Sequence, residues 1–264
     1  MPTNQQRRQT AKRKLERQIE RRAERARRRR RVLAIGSVVG VVAVVAVAIG
    51  VYFIVSSPST PDPAAAAPGT CTYTPEGQAS KPVSVPDANP PRDGIATVTL
   101  TTSQGAIGLT LDRTTAPCAV NAVTSLAQQG FYNDTPCHRL TTGEGLKVLQ
   151  CGDPTGSGSG GPGFRYAEEP PTGLAPAPGG SGASVYSRGL VAMAKTSQPD
   201  TTGSQFFLVY GDSQLPPEYT VVGRIDTAGL AVLDRVAAAG SDNSSGDGDG
   251  KPVTPVQIQT ATVS

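Results

Sequence analysis

Several short stretches of the sequence carry side chains able to do chemistry, and their spacing narrows what that chemistry is. Cys137 beside His138 has the composition of a thiol nucleophile with its base. Adjacent residues on a strand point to opposite faces, so this pair cannot share a proton within the strand that "CHRL" predicts. No serine stands in a Gly-x-Ser-x-Gly turn, the signature of one large class of hydrolases. "GSGSGGPG", residues 156–163, contains G-x-G-x-x-G at Gly156, Gly158 and Gly161, but Pro162-Gly163 prevents the helix whose first N–H groups would hold a pyrophosphate. The four cysteines, Cys71, Cys118, Cys137 and Cys151, include no Cys-x2-Cys pair, and His138 is the only histidine, so no metal site is expected. "DGDG", residues 247–250, is followed by Lys251 and Pro252 where a calcium loop needs ligands, and reads as an acidic turn. The remaining chemical puzzle is "TTGSQFFLVYG", residues 201–211: on a strand Phe206 and Phe207 face opposite ways, so one of them must cover something other than a single-sided core.

The elements around these residues divide by composition. Residues 1–31 hold fourteen Arg or Lys against three Glu, whereas the remainder holds eleven basic and eighteen acidic side chains. The net charge of +4 is thus the sum of two opposed parts, which argues against nucleic-acid binding by the whole protein. Residues 32–55, "VLAIGSVVGVVAVVAVAIGVYFIV", carry no charge and are long enough for a helix to cross a hydrocarbon core of roughly 30 Å. They are expected to be a transmembrane helix, the alternative being the apolar part of a cleavable signal peptide. The arginines ahead of Val32 then leave residues 56–264 outside the cytoplasm, with residues 1–31 as a basic cytoplasmic arm suited to anionic lipid headgroups. All four cysteines follow the apolar segment, and an even count in an oxidising compartment implies two disulfides, with three pairings open. Residues 56–92 contain nine prolines and are expected to be a spacer, partly tied back through Cys71.

Residues 93–264 alternate short β-like runs with two helical patterns. "IATVTLTT" and "AIGLTLD" across a Ser-Gln-Gly turn predict a hairpin. "TTAPCAVNAVTSLAQQG" predicts a helix with Thr114 or Thr115 as cap, Pro117 in the first turn and Val120, Val123, Leu126 and Ala127 on one face. "CHRL", "LKVLQCG", "GLVAMAK", "SQFFLVYG", "YTVVGRI" and "PVQIQTATV" are further strands, and "AGLAVLDRVAAAG" is a second helix. The expected fold is mainly β: a closed eight-stranded antiparallel β-barrel capped by two α-helices, preceded by one transmembrane helix.

"FYNDTPCHRL", "LQCGD", "GLVAMAK", "GSQFFLVYG" and "YTVVGRI" occur in the order seen in cyclophilins, and the chain resembles a cyclophilin-type peptidyl-prolyl cis/trans isomerase over about residues 94–263. The resemblance implies a packed barrel with its substrate groove outside, one phenylalanine filling the barrel and Phe207 flooring a proline pocket. It places the catalytic guanidinium at Arg139 and assigns substrate contact to His138, Lys147, Val148, Gln150, Ala194, Lys195, Gln205, Phe207, Leu215 and Tyr219. Gln150 would hydrogen-bond the substrate backbone, and Ala194 with Lys195 would receive the residues before proline. No cofactor is implied, since rotation about an imide bond requires no nucleophile or metal.

The expected partners are proline-containing exported polypeptides, met by a monomer at a bacterial cell membrane. Lys147 stands where the family has a pocket Phe, and Gln214 stands near the position of its pocket-edge Trp. These departures keep a second reading open, a cyclophilin-fold module that binds proline-containing segments with little turnover. An envelope hydrolase on an unrelated β fold is a third.

Overall fold

The computed structural model describes residues 69–264. The expected basic arm, transmembrane helix and first part of the spacer lie outside the described residues. Among the described residues no helix is long and apolar enough to cross a membrane.

The chain forms β1 Thr74–Pro75, β2 Ile95–Thr102, β3 Gly105–Asp112, helix α1 Pro117–Gln128, β4 Thr135–Pro136, β5 Arg139–Thr141, β6 Val148–Cys151 and β7 Phe164–Arg165. It continues through β8 Ala175–Pro176, β9 Ser184–Tyr186, β10 Leu190–Met193, β11 Phe206–Val209, β12 Ser213–Leu215, β13 Val221–Ile225, helix α2 Thr227–Ala239, β14 Asp249–Gly250 and β15 Gln257–Val263. The main sheet has ten strands in the order β14-β5-β6-β11-β10-β13-β3-β2-β15-β4. Its eight inner strands are the eight predicted from the sequence, each paired antiparallel with the next.

The expected closed ladder is replaced by an open order with two short strands added at its edges. The sheet curls because its two ends are parts of one chain: β4 at one edge runs into β5, near the other, through Cys137 and His138 alone. Cys137 N–H donates to Val256 O ahead of β15, after which the chain leaves that strand, so no continuous ladder forms along the seam.

Alternation sorts the side chains. Leu140, Leu149, Leu208 and Val191 lie directly opposite one another across β5, β6, β11 and β10 and are buried in the main core, with Phe206, Tyr132, Leu100, Leu109 and Leu111. Phe206 meets Tyr132 edge-on at 5.5 Å between centroids. The other face of the same strands carries a second apolar cluster of Val148, Tyr186, Leu190, Ala192, Phe207 and Val209. The paired phenylalanines therefore serve two cores.

Helix α1 buries Val120, Val123, Leu126 and Ala127 as the periodicity predicts, with Pro117 in its first turn. Its cap differs from the expectation: Ala116 is the N-cap, and Thr114 and Thr115 bond back to Asp112. Glu169, from a distant loop, accepts from the N–H groups of Cys118 at 3.0 Å and Ala119 at 2.9 Å, placing a carboxylate on the helix dipole. Helix α2 is capped by Asp226, which accepts from Gly229 N–H.

From Gly69 onward the proline-rich stretch packs on the domain. Cys71 is bonded to Cys118 and Cys137 to Cys151, one of the three pairings left open by the sequence. Tyr73 sits edge-on to Phe164 and Tyr166 at 5.5 Å and donates to Cys118 O, while β1 pairs with β7. A proline-rich segment lacks the donors for a long ladder, so it is held by side chains and a covalent link.

The glycine-rich loop of residues 155–163 wraps around the buried Asp153. That carboxylate accepts from Thr155 N–H and Oγ1, Gly158 N–H, Gly160 N–H and Ser157 Oγ. A Cβ on Gly160 would come within 2.0 Å of Asp153 Oδ1, so only glycine permits the approach. Burial raises the Asp153 pKa, but the hydrogen bonds from Thr155, Gly160 and Gly158 outweigh it and hold the group below its ordinary 3.8.

Two outcomes test these supports. Loop-closure entropy predicts that replacing Cys71 and Cys118 by serine costs about 4 kcal/mol in urea unfolding, and replacing Cys137 and Cys151 about 3 kcal/mol, following their separations of 47 and 14 residues. Unchanged midpoints would contradict both. A carboxylate whose folded pKa is depressed contributes stability that is present above the unfolded value and lost as pH falls through the folded one. Wild type should therefore lose stability below pH 3.8 more steeply than Asp153→Asn; identical acid slopes would exclude the cage as a stabilising feature.

Candidate active site

Register gathers most of the expected site residues. Arg139 on β5 is directly opposite Gln150 on β6, Gln150 opposite Phe207 on β11, and Phe207 opposite Ala192 on β10. Directly opposed residues of an antiparallel sheet share a face. Arg139, Gln150 and Phe207 therefore form a row across the outer surface.

Arg139 is half-buried, and its guanidinium is gripped along one edge: Nε donates to Asp249 Oδ1 at 2.7 Å and Nη2 to Asp249 Oδ2 at 2.5 Å. The third contact is Nη1 to Gln150 Oε1 at 3.4 Å. Such bidentate pairing fixes the plane of the fork. The hydrogen bond to Asp249 raises the pKa of Arg139 against the effect of burial, and the charges of Asp249 and Tyr219 add to the rise. Asp249 belongs to the turn that the sequence marks only as acidic.

Gln150 is held in turn, its Nε2 donating to Gln205 Oε1 at 2.9 Å. Gln205 donates through Nε2 to the carbonyl oxygens of Gly158 and Gly160. The amide of Gln205, an expected substrate contact, thus positions both Gln150 and the loop that surrounds Asp153.

Phe207 is 5% exposed and meets Tyr219 edge-on at 5.6 Å. Val148, Leu215, Ala194 and Tyr219 join the same apolar cluster. Tyr186 lies beneath, donating to the carbonyl oxygens of Pro216 and Tyr219 and accepting from Tyr219 N–H, which pins the turn carrying Leu215 and Tyr219. Lys147 does not join this cluster; its stem lies over Gly211, and Leu146 packs against the cluster instead. Gln214 is exposed on β12.

Two depressions meet at Gln150. One, of about 300 Å³, is lined by His138, Arg139, Gln150, Gly158 and Lys251 among others. The second, of about 590 Å³, includes Gln150, Ala194, Lys195 and Gln205 in its walls. The Lys195 ammonium is turned inward, its side chain 6% exposed, and pairs with Glu218 at 3.1 Å. His138 is held below its ordinary pKa by burial and by the charge of Arg139, against the pull of Asp153, and its Nδ1 has no hydrogen-bond partner. A neutral ring with a buried, unengaged nitrogen is not placed to relay a proton. No cluster of potential metal ligands occurs among the described residues.

Sequence reasoning missed Asp249, Leu146 and Tyr186. The first lies 110 residues from its partner, and nothing in "DGDG" points to an arginine. Tyr186 lies in "SVYSRG", a stretch without strong strand periodicity.

The chain's likenesses agree with this geometry. A family described as "Cyclophilin type peptidyl-prolyl cis-trans isomerase/CLD" matches residues 97–263. The probable peptidyl-prolyl cis-trans isomerase B of Mycobacterium leprae is 46% identical, over 98% of this chain and 99% of that protein. The probable isomerase B of Mycobacterium tuberculosis (strain ATCC 25618 / H37Rv) is 48% identical, over 74% of this chain and 64% of that one. A crystal structure of a Cryptosporidium parvum cyclophilin-type isomerase, solved in the presence of the dipeptide Ala-Pro, is 28% identical with a TM-score of 0.51, covering 64% of this chain and 98% of that chain. With the family match spanning most of the chain and the Arg139, Gln150 and Phe207 row on its outer face, this protein belongs to the cyclophilin-type peptidyl-prolyl cis-trans isomerases.

Proposed function

We propose that the protein rotates X-Pro bonds of polypeptides lying across the row Arg139, Gln150 and Phe207, with Arg139 as the catalytic residue. The observation that carries this reading is the direct cross-strand register of the three side chains on one face. The proline ring rests on Phe207, flanked by Val148, Leu215 and Tyr219, and the preceding residues run along Ala194 and Lys195. The Ala-Pro dipeptide present with the Cryptosporidium relative supports a proline-containing ligand here.

The barrier to be lowered is that of amide resonance, about 20 kcal/mol. As the bond twists, conjugation is lost and the nitrogen lone pair localises. Asp249 and Gln150 engage three of the five guanidinium N–H donors of Arg139. Two remain for a substrate oxygen and the localising lone pair. A contact that strengthens only in the twisted state raises the rate rather than merely the affinity, because it stabilises the transition state preferentially. About 5–7 kcal/mol of such stabilisation amounts to four to five decades.

The same proposal places residues 32–55 across a cell membrane and residues 56–264 outside the cytoplasm, acting on exported chains as they fold. It is supported by the charge asymmetry around the apolar segment and by the two disulfides.

A second reading has one observation in its favour: the pairing with Asp249 occupies an edge of the catalytic guanidinium, as would suit a module that binds proline segments with little turnover. The two separate in a proline-peptide isomerisation assay on the full chain. Arg139→Ala should lower kcat/KM by about two decades or more, with an unfolding midpoint that shows the fold intact. Peptide binding by wild type without rate enhancement selects the module, and equal rates in the two proteins remove Arg139 from the chemistry.

A further inference from the structure

The groove of about 590 Å³ beside Gln150 has a wall that lies outside the family match. Glu76, Gly77 and Gln78 line it together with the glycine-rich loop, Ala194 to Thr196 and Thr201, whereas the match begins at residue 97. This strap is fixed at several points. Cys71 is bonded to Cys118, and Tyr73 is packed between Phe164 and Tyr166. Glu76 N–H donates to Gly163 O at 2.9 Å, Ser80 N–H donates to Gly161 O at 2.9 Å, and Gly161 N–H donates to Ser80 Oγ at 3.0 Å. A Cβ on Gly163 would come within 2.9 Å of Ala79 N, so the loop's lack of side chain at that point lets the strap approach.

The charges in this groove are unequal in their exposure. Two ionisable side chains line it, Glu76 and Lys195. The Lys195 ammonium is turned inward and neutralised by Glu218. The Glu76 side chain is 58% exposed, and its nearest cation, Arg165 Nε, stands at 3.7 Å, beyond hydrogen-bonding distance. The groove therefore presents one solvent-facing carboxylate, only loosely paired with Arg165, on walls of glycine backbone, hydroxyl and amide groups together with the apolar Pro162, Phe164 and Ala194. Because Gln150 lines both this groove and the depression at Arg139, the groove continues the proposed site on the side that receives residues ahead of the proline.

We propose that the strap, which precedes the segment matched by the family, is a substrate-binding element of this groove, and that Glu76 selects polypeptides with a lysine or arginine two or three residues ahead of the proline. The proposal rests on the isomerase reading above. An extended chain advances about 3.3 Å per residue, which carries the second and third residues before proline from Ala194 toward the strap. An exposed ion pair gives a modest selectivity, about three- to fivefold, that weakens as salt screens it.

The test uses the full chain and three sets of proline peptides that differ only in carrying Lys, Ala or Glu at the second or third place before proline. At low ionic strength wild type should turn over the Lys peptides with kcat/KM about three- to fivefold above the Glu peptides, with the Ala peptides between. Glu76→Gln should bring Lys and Glu peptides level, and Glu76→Lys should reverse their order, a reversal that general damage to the fold would not produce. An absent preference in wild type, or an unchanged order in Glu76→Lys, overturns the proposal. Failure of the isomerase reading shows separately, as an Ala-peptide rate that Arg139→Ala leaves unaltered.

Discussion

The site depends on antiparallel register across β5, β6, β11 and β10. Residues directly opposed on neighbouring strands face the same way, so one alignment sets two rows at once. Leu140, Leu149, Leu208 and Val191 go inward, and one step along Arg139, Gln150, Phe207 and Ala192 go outward. A slip of one residue on any strand would exchange its row, placing a guanidinium or an amide in the apolar core. The burial of the inner row therefore holds the outer row in place, and the energetics of folding and the geometry of the site are the same constraint. The two phenylalanines show it most simply: Phe206 packs on Tyr132 in the main core and Phe207 on Tyr219 outside.

Around that row the structure adds polar supports whose groups are satisfied by one another. Asp249 fixes the plane of Arg139, Gln150 joins Arg139 to Gln205, and Gln205 holds the loop that encloses Asp153. Each of these polar side chains is held by the next, which lowers the cost of burying them in part. The disulfide of Cys137 and Cys151 ties the link ahead of the Arg139 strand to the strand that carries Gln150, and that of Cys71 and Cys118 binds the strap to the first turn of α1. A substrate thus meets a surface organised in advance, so that ordering the catalytic groups need not be repeated at each encounter.

Much of this was legible in the sequence because it rests on local patterns. Alternation marked the eight inner strands, and a 3.6-residue period with Pro117 and Gly130 marked α1. The resemblance carried by the order of short motifs singles out Arg139, Gln150 and Phe207, which the register sets in one row. What was not legible depends on contacts between distant segments. The Glu169 cap of α1 and the Asp249 clamp on Arg139 are about 50 and 110 residues from their partners and leave no local signature. The short strands β4 and β14 are two residues long and too brief to show a period. Leu146 rather than Lys147 reaches the outer cluster, a difference of one position that the motif order does not reveal. Composition marks residues 56–92 as a spacer tied back through Cys71, and in its described part, from Gly69 onward, Tyr73 and Cys71 dock on the domain.

The proposed chemistry is geometric: a guanidinium of fixed plane beside an aromatic floor, acting on a bond whose resistance to rotation comes from conjugation. Charge alone would not suffice, because a lysine ammonium cannot hold two bonds to Asp249 and still present donors in a fixed plane. Magnetisation-exchange NMR on an Ala-Pro peptide, with wild type and Arg139→Lys compared at equal occupancy, tests this most directly. The account predicts cis/trans exchange accelerated by wild type and slowed by at least about tenfold in the lysine variant; equal exchange in the two would contradict it.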